Sequence, residues 1–141
     1  MQISRVLLAA TAVLFVIGVA LQFFFIGVAL TQLGGNGDSS LHVNFGYWLP
    51  ILPLLALILS WPARAGGRTA LLVAILFVDT FVQGILPLAR SSLPVVAALH
   101  PVNALVIFGL GVVVARRAVT IARTTAPAPQ AGKPAPAAPP S

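Results

Sequence analysis

The sequence has no cysteine and almost no acidic side chains. Of its 141 residues only Asp38 and Asp79 are acidic, and charged residues of both signs make up 7% of the chain. Without cysteine, disulfides, thiolate metal sites and thiol nucleophiles are excluded. Two acids 41 positions apart do not indicate the paired carboxylates of a glycosidase-type site. Hydrophobic residues make up 59% of the chain, whereas a soluble domain carries roughly 25% charged residues. We therefore expect a membrane protein.

Four apolar runs are long enough to cross a bilayer, because a spanning helix needs about 20 apolar residues. They cover approximately 6–32, 43–62, 69–88 and 93–115. This pattern predicts an all-α fold, an integral membrane four-helix bundle within residues 1–123. The first run exceeds the roughly 7–15 residues of a signal-peptide core and lacks a cleavage site, so we expect it to remain as a span. Residues 124–141 hold six of the twelve prolines and are predicted to form a disordered cytoplasmic tail.

The basic residues flank the spans unevenly and predict the orientation. Seven lie on one side of the predicted spans, and Arg90 alone lies on the other. The seven are Arg5, Arg64, Arg68, Arg116, Arg117, Arg123 and Lys133. The positive-inside rule then places both termini in the cytoplasm of a bacterial inner membrane. The net charge of +6 reflects this topology and not nucleic-acid binding, since no basic patch is interleaved with aromatic residues. The expected partners are the lipid bilayer and either further copies of the chain or a larger membrane complex.

Polar residues within the spans are informative because hydrocarbon makes them costly. Gln22 lies in the first span, and Asp79, Thr80 and Gln83 share one face of the third. An ionised carboxylate at mid-span costs at least about 2.5–3.5 kcal/mol, so we expect Asp79 to be protonated, hydrogen-bonded or beside water. Two interpretations remain open. Asp79 either joins helices by hydrogen bonds or forms the proton or ion site of a small transporter.

The only two histidines lie in similar segments, "LHVN" (41–44) and "LHPVN" (99–103), and both fall on the predicted outer side. Two imidazoles on separate helices are the minimum for bis-histidine ligation, so His42 and His100 are candidate axial ligands of a b-type haem. Gly46 would leave room for a macrocycle. Asn44 and Asn103 are candidates to orient the rings. Apart from haem iron, no metal site is predicted.

The start of the fourth span allows two interpretations, because His100 directly precedes Pro101. His100 ends a re-entrant segment with Pro101 at the first helical position, or a helix begins near Ser92 and Pro94 and kinks at Pro101. In the second span, Pro50 and Pro53 are expected to loosen the first half of the helix.

The segment "ALHPVNAL" (98–105), ahead of a run ending in "ARR" (115–117), resembles a family of small four-helix bacterial membrane proteins of unknown function. That family has a histidine and then a glycine at the start of span two, a glutamine late in span three, and a histidine-proline motif in span four. The matching residues are His42, Gly46, Gln83, His100, Pro101, Asn103 and Ala104. The resemblance covers roughly 41–117 and implies a four-helix membrane fold.

The two histidines also resemble those in one half of haem A synthase, a four-helix unit that binds haem through outer-side histidines on its second and fourth helices. That enzyme has a carboxylate and often a cysteine pair in its outer loop, whereas this loop offers only Asp38. The resemblance therefore implies haem binding and not haem oxidation. We predict a binding or accessory subunit without catalysis of its own, and the alternative is a proton-coupled carrier that uses Asp79.

Overall fold

A computed structural model describes residues 1–31 and 37–124, and every regular element in these ranges is helical. The α-helices are α1 (Gln2–Thr31), α2 (Ser40–Trp48), α3 (Ile51–Ser60), α4 (Gly67–Ile85), α5 (Pro94–Ala97) and α6 (Leu99–Arg123). A 3-10 helix, Leu86–Ser91, continues α4. The predicted disordered tail lies outside the described residues, apart from Thr124.

Within residues 1–31 and 37–124, four helical segments are long and apolar enough to cross a membrane, which confirms the predicted helical class and the four candidate spans. They are Gln2–Thr31, Ser40–Ser60, Gly67–Ser91 and Pro94–Arg123. The last segment continues beyond the predicted boundary at residue 115. Ala118 and Ile121 keep an apolar face on the helix after Arg116 and Arg117, and this face still packs on the core.

Prolines divide the second and fourth segments into two helices each. The second is interrupted at Leu49 and Pro50, and Pro53 lies in the first turn of α3. In the fourth, Ala98 separates α5 from α6, and Pro101 is the third residue of α6. The chain thus combines the two interpretations of this region. A short helix begins at Pro94, and a new helix begins just before His100.

The four segments form a closed ring in which neighbours in sequence are neighbours in space. α1 packs against α3 and α6, and α4 packs against the same two helices from the opposite side. At one end of the bundle α1 and α4 end while α2 and α6 begin, and we call this the histidine end. At the other end α1 begins, the chain turns between α3 and α4, and α6 ends. We call this the arginine end.

The half of the bundle toward the arginine end contains most of the apolar core. Phe15, the largest side chain there, is 1% exposed. A Cβ added at Gly111 would lie 3.2 Å from two Phe15 ring carbons, so the glycine allows α6 to approach α1 closely. The other fully buried members include Leu8, Val73, Leu76, Val114 and Ala118.

Arginine side chains join the helix ends by hydrogen bonds at the arginine end. The Arg5 guanidinium donates from Nε to the Ala63 carbonyl at 3.2 Å and from Nη1 to the Thr124 carbonyl at 2.9 Å. Arg117 donates from Nε to the Thr69 hydroxyl at 3.2 Å. The Arg5 bonds satisfy two carbonyls just beyond the ends of α3 and α6, and the Arg117 bond joins α6 to the first turn of α4.

Candidate functional site

The two histidine rings meet inside the histidine end, although they belong to segments on opposite sides of the ring of helices. His42 is the third residue of α2, and His100 is the second residue of α6. Their ring centroids are 6.1 Å apart and their planes differ by 78°. Both side chains are partly buried. The chain therefore brings together two imidazoles that are 58 residues apart in sequence.

Each imidazole is held through Nδ1 by the backbone carbonyl of a glutamine on the preceding segment. His42 Nδ1 lies 3.2 Å from the Gln22 oxygen, and His100 Nδ1 lies 3.0 Å from the Gln83 oxygen. A carbonyl only accepts, so each Nδ1 must carry the proton. In a neutral ring the lone pair is then on Nε2, the nitrogen that is free to bind a metal.

The Gln83 side chain strengthens the attachment of His100. Its amide Nε2 donates to the His100 carbonyl at 2.8 Å, so residues 83 and 100 are joined by two hydrogen bonds. The Asn103 amide Nδ2 donates to Gln83 Oε1 and to Asp79 Oδ1, both at 3.0 Å. These four residues connect α4 and the start of α6 through polar contacts.

The Gln22 side chain has a different environment. A Cβ added at Gly46 would lie 2.6 Å from Gln22 Nε2, so the glutamine amide rests directly on this glycine. Gln22 Oε1 is buried and has no hydrogen-bond partner among the described residues. The first hairpin thus repeats the histidine–glutamine contact of the second but lacks an equivalent of Asn103 to satisfy the amide oxygen.

The predicted roles of Gly46, Asn44 and Asn103 need correction. Gly46 does not leave an open space beside His42, because the Gln22 amide fills it. The two asparagines do not orient the rings. Backbone carbonyls hold both Nδ1 atoms, Asn44 is exposed, and Asn103 is directed at Asp79 and Gln83. The prediction was wrong because every residue has a backbone carbonyl, so the sequence does not show which carbonyls will bond to the rings.

The remaining predicted polar residues of the third span have separate environments. Asp79 is half-buried and accepts from Asn103, and this contact joins α4 to α6. Thr80 is 5% exposed and donates to the Leu76 carbonyl at 2.6 Å within its own helix. Threonine commonly satisfies itself in this way inside an apolar environment. Asp79 and Gln83 therefore belong to the polar cluster, and Thr80 belongs to the packed core.

Asp38, the only acid of the predicted outer loop, stabilises the start of α2. Its carboxylate accepts from the Ser40 backbone N–H and from the Ser40 hydroxyl, both at 2.8 Å. The Ser40 hydroxyl and backbone N–H lower the pKa of the Asp38 carboxyl, because both donate to its charged form. Asp38 thus makes two local hydrogen bonds with the first residue of α2.

Sequence reasoning missed the pairing of each histidine with a glutamine. Gln22 and Gln83 are the only glutamines inside the predicted spans short of their ends, and they precede His42 and His100 by 20 and 17 residues. Gln22 and His42 lie on antiparallel neighbouring helices, as do Gln83 and His100, and each pair is separated by a similar length of chain that contains the turn. This similar spacing could have indicated that each glutamine lies beside its histidine.

Comparisons with protein-family models, with curated proteins and with solved structures find no match to this chain. The resemblances drawn from "ALHPVNAL" and from the histidine positions therefore stay predictions.

Proposed function

We propose that the chain is a haem-binding membrane protein in which His42 and His100 are the axial ligands of one b-type haem. The observation that supports this proposal is the close, edge-to-face pair of imidazoles, each with Nδ1 bonded to a backbone carbonyl and Nε2 available to a metal.

The small number of protein ligands favours haem over a bare ion. Among the described residues no group of three or more His, Cys, Asp or Glu side chains lies close enough to hold a metal. A bare transition metal would need further ligands from the protein. Haem iron already has four ring nitrogens and requires only axial ligands, so two imidazoles complete its coordination.

The Gln22 amide has to move for a macrocycle to fit beside Gly46. This movement breaks no hydrogen bond of Gln22 Oε1 within the described residues, since that atom has no partner there. The two rings meet edge to face in the structure, so they also have to turn before both Nε2 atoms point at one ion. The proposal therefore requires displacement of the Gln22 amide and reorientation of the rings.

The residues of the chain would position the group and limit access to it. The carbonyls of Gln22 and Gln83 fix the tautomer and direction of the two rings, and such second contacts make imidazole a better ligand. The Gln83 and Asn103 amides hold α6 against α4, which keeps His100 in place. Bound haem would supply one-electron transfer, so we infer a redox or accessory subunit in a bacterial cytoplasmic membrane.

An absorption spectrum of protein expressed with a haem precursor tests the proposal. We expect about one haem per chain and a spectrum that changes on reduction. The double variant His42→Ala/His100→Ala should bind none, because both axial ligands are gone. The matched control is Asn44→Ala, which changes an exposed residue near His42 and should retain full haem content. Wild-type protein without haem absorption would contradict the proposal.

A further inference from the structure

We propose that one anionic phospholipid binds along the face of α4 that is turned away from the bundle, with its phosphate at Arg68 and Arg117 and an acyl chain in the groove beyond them. This inference goes beyond the proposed haem site and does not depend on it. Three observations carry it: the unbalanced positive charge of the arginine end, a hydrogen bond that positions one guanidinium group there, and an apolar groove on the same face of α4.

The arginine end carries positive charge that no nearby acidic side chain neutralises. Both acids of the chain lie elsewhere, Asp38 just before α2 and Asp79 in the C-terminal half of α4. Trp61, which directly follows α3, is 89% exposed, and tryptophan at the end of a span is typical of the headgroup level of a membrane. The described arginines at this end are Arg5, Arg64, Arg68, Arg116, Arg117 and Arg123. Anionic headgroups are therefore the complementary charges that a bilayer offers to this end.

A hydrogen bond positions Arg117 between α6 and α4. Its Nε donates to the Thr69 hydroxyl at 3.2 Å, and Thr69 itself is only 3% exposed. The Arg117 Nη groups have no hydrogen-bond partner in the part of the chain that the structure describes. Arg68 directly precedes Thr69 and is exposed, so two guanidinium groups originate at neighbouring points of α4 and α6. Guanidinium groups bind phosphate through paired N–H donors, and a guanidinium that is already positioned loses less entropy on binding.

The face of α4 that carries Arg68 continues into an apolar groove. Ile75, Val78 and Val82 follow Arg68 at spacings of 7, 10 and 14 residues, which place them on one side of a helix. The groove is shallow and open, has a volume of about 420 Å³, and is lined by Ala74, Ile75, Val78, Asp79 and Val82. At 1.5 Å per residue, Val78 lies roughly 15 Å from Arg68, which is half of the roughly 30 Å hydrocarbon thickness of a bilayer. An acyl chain whose phosphate lies at Arg68 therefore reaches the groove.

The charge on this face favours a lipid over a second copy of the chain. In a two-fold symmetric dimer the same patch of both protomers meets, so packing through the groove would bring the two Arg68 side chains toward each other. Like charges oppose this arrangement, whereas the same arginine attracts an anionic headgroup. The groove and the arginine pair together match an amphiphile with one anionic end and one apolar end.

Native mass spectrometry of the full chain in detergent, with added phosphatidylglycerol or phosphatidylcholine, tests the headgroup site. We expect one phosphatidylglycerol to bind in preference to phosphatidylcholine. Arg68→Gln should weaken this binding by about fivefold, because each arginine near an anionic headgroup contributes about 1 kcal/mol. Arg117→Gln should weaken it at least as much. Arg68→Gln leaves the Arg117–Thr69 bond in place, so it tests the site even if Arg117→Gln does not fold.

Arg123→Gln is the matched control, because it removes the same charge from an exposed position at the end of α6. Its effect should be much smaller than that of Arg68→Gln. An equal effect of the two substitutions would show attraction to the total charge of the arginine end, and would overturn the proposed site. Equal binding of phosphatidylcholine and phosphatidylglycerol by the wild type would overturn it as well.

Filling the groove tests the position of the acyl chain. Val78→Phe enlarges a lining side chain that is 59% exposed, so phosphatidylglycerol binding should fall several-fold. Val106→Phe makes the same change at a 56% exposed position on α6 outside the groove lining and should leave binding unchanged. Soluble glycerol phosphate should not compete, because it lacks the acyl chains. Unchanged lipid binding in Val78→Phe, or full competition by glycerol phosphate, would contradict the proposal. A dimer mass that Val78→Phe abolishes would assign the groove to a second copy and overturn it.

Discussion

At the arginine end the helices meet mainly through buried apolar side chains, whereas at the histidine end polar contacts lie beside aromatic pairs such as Phe25–Phe45. Phe15, Val73, Leu76 and Val114 are at most 2% exposed. The polar contacts of Gln83, His100 and Asn103 are only partly buried. Lipid gives little hydrophobic drive for helix association, so close packing and hydrogen bonds must hold the helices together. Both ends use both contributions, but the fully buried apolar core lies toward the arginine end and the side-chain polar cluster of α4 and α6 lies at the histidine end.

The difference in charge between the two ends gives the largest expected effect, because orientation in a membrane is all-or-none. Reporter fusions after Ser39 and after Thr124 should lie on opposite sides, with the second in the cytoplasm. Alkaline phosphatase and a cytoplasmic fluorescent reporter, used in parallel, measure this. If both positions report the same side, the four-segment topology is wrong. If the two positions lie on opposite sides but the fusion after Thr124 is outside the cytoplasm, only the assignment of the histidines to the outer face is contradicted.

Removal of the largest core side chain should show which end provides most of the stability. Phe15→Ala leaves a cavity against Gly111, and a buried Phe→Ala change costs roughly 3–5 kcal/mol in soluble proteins. We expect the lower part of this range, because the unfolded chain stays in lipid or detergent and little transfer energy is lost. Unfolding in mixed detergent micelles measures it. Phe24→Ala is the control, since this ring is 63% exposed and should change stability by less than about 0.5 kcal/mol.

The fold was readable from sequence to a greater extent than the site. Apolar runs of about 20 residues predict helical spans, because a helix satisfies its own backbone hydrogen bonds in lipid. Prolines such as Pro50 and Pro101 marked the interruptions, since proline lacks a donor. The location of His42 and His100 at the same end of the bundle followed from their places in the apolar runs. Their partners did not follow, because the backbone carbonyls of Gln22 and Gln83 are acceptors that every residue possesses, and only the packing of the helices selects them.

The polar cluster should contribute less to stability than the apolar core. Asn103→Leu removes the donor shared by Asp79 and Gln83 and leaves both acceptors without it, at an expected cost of about 1–3 kcal/mol. The same micelle unfolding assay applies, and Asn44→Leu at an exposed position is the matched control. A loss as large as that of Phe15→Ala would show that the histidine end is as important for stability as the core. Haem content should also fall, because Asn103 helps to hold α6 against α4.

The smallest effect is expected for Asp79→Asn, and it distinguishes the binding subunit from the carrier. The amide oxygen at this position can still accept from Asn103 Nδ2, so the contact between α4 and α6 survives and stability should change by less than about 1 kcal/mol. Asp79→Leu removes the acceptor and should reduce stability more than Asp79→Asn, which provides the matched comparison.

In a carrier, by contrast, the titratable proton of Asp79 itself is needed, and the amide of Asp79→Asn cannot replace it. Proton flux into liposomes, measured with a pH-sensitive dye, separates the two functions. We expect no flux above that of empty vesicles for either the wild type or Asp79→Asn. Flux that the wild type supports and Asp79→Asn abolishes would reverse the assignment in favour of a proton-coupled carrier.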